Sequence, residues 1–185
     1  MIQFVFAHSN GCFGNNGDLP WPRIQADLNQ FKKRTTGTIL VMGANTFQSL
    51  DKRLSDRTHV VLCRPHTKPR AKNGDPADLY ITGEDIDDCV LKFINNFYQH
   101  QATYSVIGGP KVIESIIKNA PTSYLDCFYE TRVSMTQPLD NCDVELSRDL
   151  LNTLHSLNPV ETGFKISLED GSAIIEYKGE FNAAV

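Results

Sequence analysis

Short β-branched runs alternate with helix-period patterns through the first two thirds of this 185-residue chain, and no other feature restricts the fold as much. Ile2 to Ala7 has the pattern of a buried strand. Ile24, Leu28 and Phe31 then recur at helical spacing, with Pro22 suited to a first helical turn. Thr38 to Met42 is β-branched and ends at Gly43, and Ala44 to Leu50 has helical character. Thr58 to Cys63 and the short Leu79 to Ile81 are further strands. Ile86, Cys89, Val90, Phe93, Ile94 and Phe97 describe an amphipathic helix. Tyr104 to Ile107 breaks at Gly108-Gly109, and Pro110 opens a helix that would bury Val112, Ile113, Ile116 and Ile117. Past Tyr124 strand patterns follow one another, and Asp170-Gly171, between FKISL and AIIEY, is a hairpin signal. The polar stretch 64–78 predicts a long surface loop. The expected architecture is α/β: one domain over 1–185, with a central, mostly parallel mixed sheet flanked by helices and an antiparallel C-terminal hairpin. On such sheets ligands sit beyond the carboxyl ends of the strands.

Charge and cysteine usage exclude several function classes. A formal net charge of −4 argues against a nucleic-acid binder. The opening MIQFVFAHSNG lacks the basic start and long apolar run of a signal peptide, and no segment approaches the ~18 apolar residues of a membrane span. The five cysteines, Cys12, Cys63, Cys89, Cys127 and Cys142, are scattered and form no CxxC pair. They predict reduced thiols in a cytoplasmic protein and no zinc site. No HExxH occurs, and no metal is expected.

Four features carry candidate chemistry. Asp27 falls within about 40° of Phe31 on the apolar side of its helix, where a carboxylate is costly unless a cation or donor meets it. A solvated acid in the first helical turn is the alternative, and periodicity leaves both open. Residues 11–21, GCFGNNGDLPW, combine three glycines with the chain's only tryptophan. Such a loop suits a lid, but composition alone favours a plain strand-to-helix connection with Trp21 as core anchor. Gly43-Ala-Asn-Thr46 and Gly108-Gly-Pro-Lys111 each follow a strand and open a helix, where backbone amides suit phosphate oxygens. Neither matches a known phosphate loop, and two ordinary glycine turns remain the alternative. Arg57 and Arg64 flank a buried strand and by position alone are surface groups.

Together these residues resemble the dihydrofolate reductase family. The shared features are Gly14…Leu19-Pro20-Trp21, Asp27 with Phe31, Met42-Gly43-x-x-Thr46-Phe47-x-Ser49-Leu50, Leu54-x-x-Arg57, Ile107-Gly108-Gly109 and Thr131. Their order holds from residue 1 to about 135, and the 64–78 loop and Gly-Gly-Pro turn resemble the bacteriophage branch. The resemblance implies a dihydrofolate reductase-like fold and NADPH-dependent reduction of dihydrofolate. It implies that Asp27 binds the pterin edge and favours protonation at N5, that Thr131 hydrogen-bonds this carboxylate, and that Trp21 holds a water nearby. Val5, Ala7, Leu28, Phe31, Ser49, Leu50, Leu54 and Ile107 would line the folate pocket, and Arg57 would take the glutamate α-carboxylate. Ala7, Gly14, Leu19, Gly43, Ala44, Asn45, Thr46, Cys63, Arg64, Ile107, Gly108, Gly109, Pro110, Lys111 and Val112 would surround NADPH, with a cis Gly108-Gly109 peptide.

The chain departs from the family at Ala44 and Asn45, where many members carry basic residues, at Pro110, and at Phe47, where tryptophan is common. Two rival readings are a pyrimidine reductase of the riboflavin-synthesis type on the same fold and a non-catalytic protein on a retained scaffold. Asp27, Trp21, Arg57 and Thr131 together favour the folate enzyme. Small-molecule partners are expected and nucleic acid and membrane are not, with monomer and homodimer left open.

Overall fold

A computed structural model describes residues 1–139 and 141–182. Ten strands and five α-helices follow in chain order: β1 (Ile2–His8), β2 (Cys12–Gly14), α1 (Gln25–Thr35), β3 (Ile39–Gly43), α2 (Ala44–Ser49), β4 (Thr58–Cys63), β5 (Leu79–Thr82), α3 (Ile86–Lys92), β6 (Tyr104–Gly108), α4 (Pro110–Asn119), β7 (Leu125–Ser134), β8 (Val144–Glu145), α5 (Arg148–His155), β9 (Val160–Ser167) and β10 (Ala173–Glu180). Eight strands form one sheet in the order β5-β4-β3-β6-β1-β7-β10-β9. All pairings from β5 to β7 are parallel, and the β9–β10 hairpin closes the β7 edge antiparallel.

The interior parallel strands are apolar on both faces, because each face is covered. Val41, Val60, Leu62 and Val106 point into one core with Val90, Phe93, Val112, Ile113, Ile116, Leu150 and Leu154 from the helical layer. Leu40, Met42, Val61 and Ile107 point the other way, onto Phe47, Ala71 and Ala77. Each such aliphatic side chain contributes about 1.5–3 kcal/mol of burial, and Ile113→Ala in α4 should cost about 2–5 kcal/mol. The 64–78 stretch is a surface loop that folds back, with Ala71 and Ala77 in that second core.

The structure corrects four expectations. Pro22 precedes α1, which begins at Gln25, since the Pro20 and Pro22 segment stays non-helical. The helix expected through Phe97 is α-helical only to Lys92; residues Phe93–Phe97 widen into a π turn, in which the Tyr98 N–H donates to the Phe93 carbonyl. Past Tyr124 the chain is not strands alone. Ser147 accepts a hydrogen bond from the Leu150 N–H and caps α5, which buries Leu150 and Leu154. Finally, the cysteines are not all free: Cys12 and Cys142 form a disulfide, while Cys63, Cys89 and Cys127 are buried thiols. Among the described residues no helix is long and apolar enough to cross a membrane, and no group of side chains is arranged to hold a metal ion.

Candidate active site

A cleft of about 2040 Å³ opens at the carboxyl ends of β1, β3, β4 and β6, walled by α1, α2, the start of α4 and the 12–21 loop. All the proposed site residues line it except Gly108. Gly108 is buried with a φ of 128°, and a Cβ there would stand 2.7 Å from the Phe13 ring. The Gly108–Gly109 peptide is cis, and Gly109 faces the cleft.

Asp27 is the third residue of α1 and is only 6 % exposed. The helix does not turn its expected apolar stripe to the core. Asp27, Gln30 and Thr35 are the buried residues, whereas Ile24, Leu28 and Phe31 are half-buried, and Leu28 and Phe31 face the cleft. Apolar residues at helical spacing therefore mark a ligand-facing wall here. The Asp27 carboxylate accepts no hydrogen bond from another described residue. Burial, and then the charge of Glu176, push its pKa up to about 6. The indole Nε1 of Trp21 is likewise buried without a partner. Thr131 stands opposite Ala7 in the β-ladder, but its expected hydrogen bond to Asp27 is not made. An acceptor without donors and a donor without an acceptor, sharing one cleft, suit a polar ligand.

Behind Asp27 lies a residue that sequence patterning did not single out. Glu176 of β10 is 1 % exposed, lines the cleft and pairs in register with Thr131. Its carboxylate accepts hydrogen bonds from Arg34 Nη2 at 2.6 Å, Gln30 Nε2 at 2.8 Å and Thr162 Oγ1 at 2.7 Å, and these donors hold its pKa low against its burial. The signal was present: Glu176 is in phase with buried Ile174 on an alternating strand.

At the other end of α1, the Arg57 guanidinium is half-buried and held by two hydrogen bonds. Nε donates to the Ser55 carbonyl at 2.9 Å and Nη1 to Thr35 Oγ1 at 2.9 Å. No described carboxylate forms an ion pair with it, and burial lowers its pKa. Lys32 and Lys52 line the same end of the cleft. The loop carrying Leu54 and Arg57 is fixed from below by buried His59. His59 Nε2 accepts the Leu54 N–H at 3.1 Å, which puts the ring proton on Nδ1, facing Asp78. Ser49 is less available than expected, because its hydroxyl donates to the Thr46 carbonyl at 2.7 Å.

The opposite half of the cleft is built from backbone. Gly43, the last residue of β3, and Gly109, directly after β6, lead into α2 and α4 without side-chain caps. A Cβ on Gly43 would lie 3.3 Å from the Val112 side chain of α4, tighter than an ordinary contact, so glycine suits this close approach. Thr46, Lys111, Arg64 and Lys68 supply the polar rim, with Cys63 and Val112 beneath. Such a cradle, open at the backbone and rimmed by cations, fits the phosphates of a dinucleotide.

The 12–21 loop forms a further wall of the cleft. Asn16 and Gly17, with φ of 51° and 75°, form the two-residue turn of a small hairpin in which Asn15 and Asp18 exchange both backbone hydrogen bonds at 3.0 Å. β2 pairs with β8, and the Asn16 N–H donates to Asp143 Oδ2 at 2.9 Å. Gly14, Leu19 and Trp21 thereby face the cleft.

Comparison with known proteins places this geometry in one family. The dihydrofolate reductase family profile matches residues 1–144. The chain is 29% identical over 158 residues to dihydrofolate reductase type A10 of Escherichia coli, covering 84% of this chain and 77% of that one. It is 32% identical over 145 residues to the bifunctional dihydrofolate reductase-thymidylate synthase of Paramecium tetraurelia, covering 78% of this chain and 27% of that protein. A solved dihydrofolate reductase from Enterococcus faecalis, complexed with NADP(H) and RAB-propyl, superposes with a TM-score of 0.66 over 97% of this chain and 96% of that one, at 21% identity, and bears on the fold. The carboxylate on the cleft-facing helix, the doubled glycine at the end of β6 and the profile match agree: this chain belongs to the dihydrofolate reductase family.

Proposed function

We propose that the chain reduces 7,8-dihydrofolate to 5,6,7,8-tetrahydrofolate with NADPH. One observation carries the assignment: a buried carboxylate without donors, Asp27, and a guanidinium without a carboxylate, Arg57, stand in the same cleft. A ligand with an amidine-like edge at one end and a carboxylate at the other satisfies both, and dihydrofolate has that shape.

Asp27 orients the pterin edge and, as an anion, raises the proton affinity at N5. Trp21 Nε1, without a protein partner, donates to a water or ligand atom beside it. Leu28, Phe31, Leu50, Leu54 and Ile107, with Val5 and Ala7, exclude water from the ring, which strengthens the Asp27 field. Arg57 holds the glutamate α-carboxylate in the fork geometry that lysine lacks. Gly43, Ala44, Asn45, Thr46, Cys63, Arg64, Gly109, Pro110, Lys111 and Val112 hold the dinucleotide, under a lid formed by Gly14 and Leu19. Bound NADPH supplies the hydride, and the protein contributes proximity and a dry, anionic pocket. Thr131 lines the same cleft as Asp27 and would support its role there.

Three coarser proposals accompany this one. The chain acts as one domain over 1–185, in the cytoplasm, and its 64–78 loop and Gly-Gly-Pro turn support a likeness to the bacteriophage branch. The decisive experiment is NADPH oxidation by the purified protein with and without dihydrofolate. Turnover that requires dihydrofolate supports the reading, and NADPH binding without turnover refutes it.

A further inference from the structure

We infer that Cys12 and Cys142 form a redox modification site, whose thiol or disulfide state sets how freely the lid opens over the cleft. The bond joins residues 130 apart in sequence and stands at the root of the lid, one strand before the Asn16-Gly17 turn. Beyond the tether, Gly14, Asn15, Gly17, Asp18 and Leu19 all line the cleft.

The polar attachments of the lid are weak. β2 and β8 form a ladder of three and two residues, and both residues of β8 are exposed. An isolated pair of strands that short is marginal in water. The Asp143 carboxylate reaches the Asn16 N–H at 2.9 Å, an exposed contact. At the tip, Asp18 meets Lys72 at 3.5 Å across the cleft mouth, with both side chains well exposed. Exposed pairs of this kind contribute little. Phe13 packs against the main core and Trp21 is buried, and the disulfide adds the one covalent tether between the lid and the segment that carries β8.

The site is also reachable. Cys12 is buried at 6 % exposure, whereas Cys142 is partly exposed. The thiolate of a dithiol reductant attacks Cys142 Sγ; the S–S bond breaks and its electron pair leaves on Cys12 Sγ, which takes up a proton. The reductant's second thiolate then displaces Cys142, giving a cyclic oxidised reductant and two protein thiols in a balanced two-electron exchange. The remaining cysteines are buried, so they do not compete for the reagent.

The consequence for the cofactor rests on the function proposed above. A lid that covers the dinucleotide half of the cleft governs how fast NADPH leaves, and release steps limit turnover in many enzymes with lids. The disulfide form should therefore release NADPH slowly and the dithiol form quickly.

The test compares the full-length protein oxidised with oxidised glutathione, the same protein reduced with dithiothreitol, and Cys142→Ser, which cannot close the bond. Hydrogen exchange of amides 11–19 and stopped-flow NADPH dissociation are read on all three. Expected is faster exchange of the lid amides, and NADPH dissociation about fivefold or more quicker, in the reduced protein and in Cys142→Ser alike, at the low end of typical coupling between sites. Unchanged lid exchange on reduction overturns the inference. So does faster exchange with an unchanged NADPH dissociation rate, which would leave the bond as a brace. A protein that still titrates with five thiols after oxidation also overturns it. Failure to bind NADPH in every state would instead strike the proposed function, while the exchange data still decide the clamp.

Discussion

Replacing Asp27 with asparagine removes a charge that the fold has withdrawn from water without supplying a hydrogen-bond donor. Its pKa rises from 3.8 to about 6, so the folded protein binds a proton more tightly than the unfolded chain does. The protonated state's contribution to stability is full below pH about 4 and is lost as pH rises through about 6. A rise of that size corresponds to about 3 kcal/mol of destabilisation in the ionised protein, an upper value for a carboxylate that water partly reaches. Asparagine resembles the protonated acid in size and polarity. Asp27→Asn should therefore match the parent near pH 4 and exceed it by up to about 3 kcal/mol above pH 7, a Tm gain of roughly 6–12 °C for a chain of this length. Taking the difference between the two proteins cancels Glu130, whose lowered pKa imposes its own acid dependence on both, whereas Glu176, coupled to Asp27, adds a smaller difference in acid. Hydride transfer should move the opposite way. Loss of the anion should slow it by about 10²–10⁴ at neutral pH, with a smaller loss in acid, where dihydrofolate is protonated before it binds. Thermal melts without ligand from pH 4 to 8, paired with stopped-flow hydride transfer from pH 5 to 8, measure both. A variant less stable than the parent at pH 7, or a Tm difference that ignores pH, would refute the electrostatic argument. Near-normal neutral-pH hydride transfer would remove Asp27 from the chemistry.

Glu176→Gln removes the second charge in this corner and leaves Arg34 unpaired over the Tyr129 ring. It should cost about 3 kcal/mol in urea unfolding, the low end for a broken buried pair, and carbon-13 titration should place the Asp27 midpoint below that of the parent. An unmoved midpoint would mean that burial alone raises it. Arg57→Lys keeps the charge but loses the fork held by Ser55 and Thr35, so dihydrofolate should bind more weakly while a pterin without glutamate is affected much less. Equal losses for both would make Arg57 a fold residue. Arg64→Ala should raise the KM for NADPH roughly tenfold, from a charge-assisted phosphate contact of about 1.5–3 kcal/mol, and leave the KM for NADH nearly unchanged. Parallel losses would remove Arg64 from 2′-phosphate recognition.

The local code of this chain was legible. Runs such as the VVLC of β4 and the VI of β6 put apolar residues at successive positions because both faces of an interior parallel strand are covered, so they mark strands without any knowledge of their neighbours. The glycines and turn residues at their ends marked the rim of the cleft, and the spaced family residues from Gly14 to Thr131 pointed to folate chemistry. Two kinds of information stayed out of reach. Periodicity shows that a helix has an apolar stripe but not what the stripe faces; in α1 it faces the cleft, and polar Asp27, Gln30 and Thr35 face inward. Pairings across long separations are the other kind. Glu176 meets Gln30 and Arg34 only because β10 returns beside β7, and Cys12 meets Cys142 only because β8 lies against β2. An odd count of scattered cysteines is what free thiols look like in sequence. The bond between residues 130 apart exists because the folded chain brings their α-carbons to 5.8 Å, a distance set by packing that no local pattern encodes.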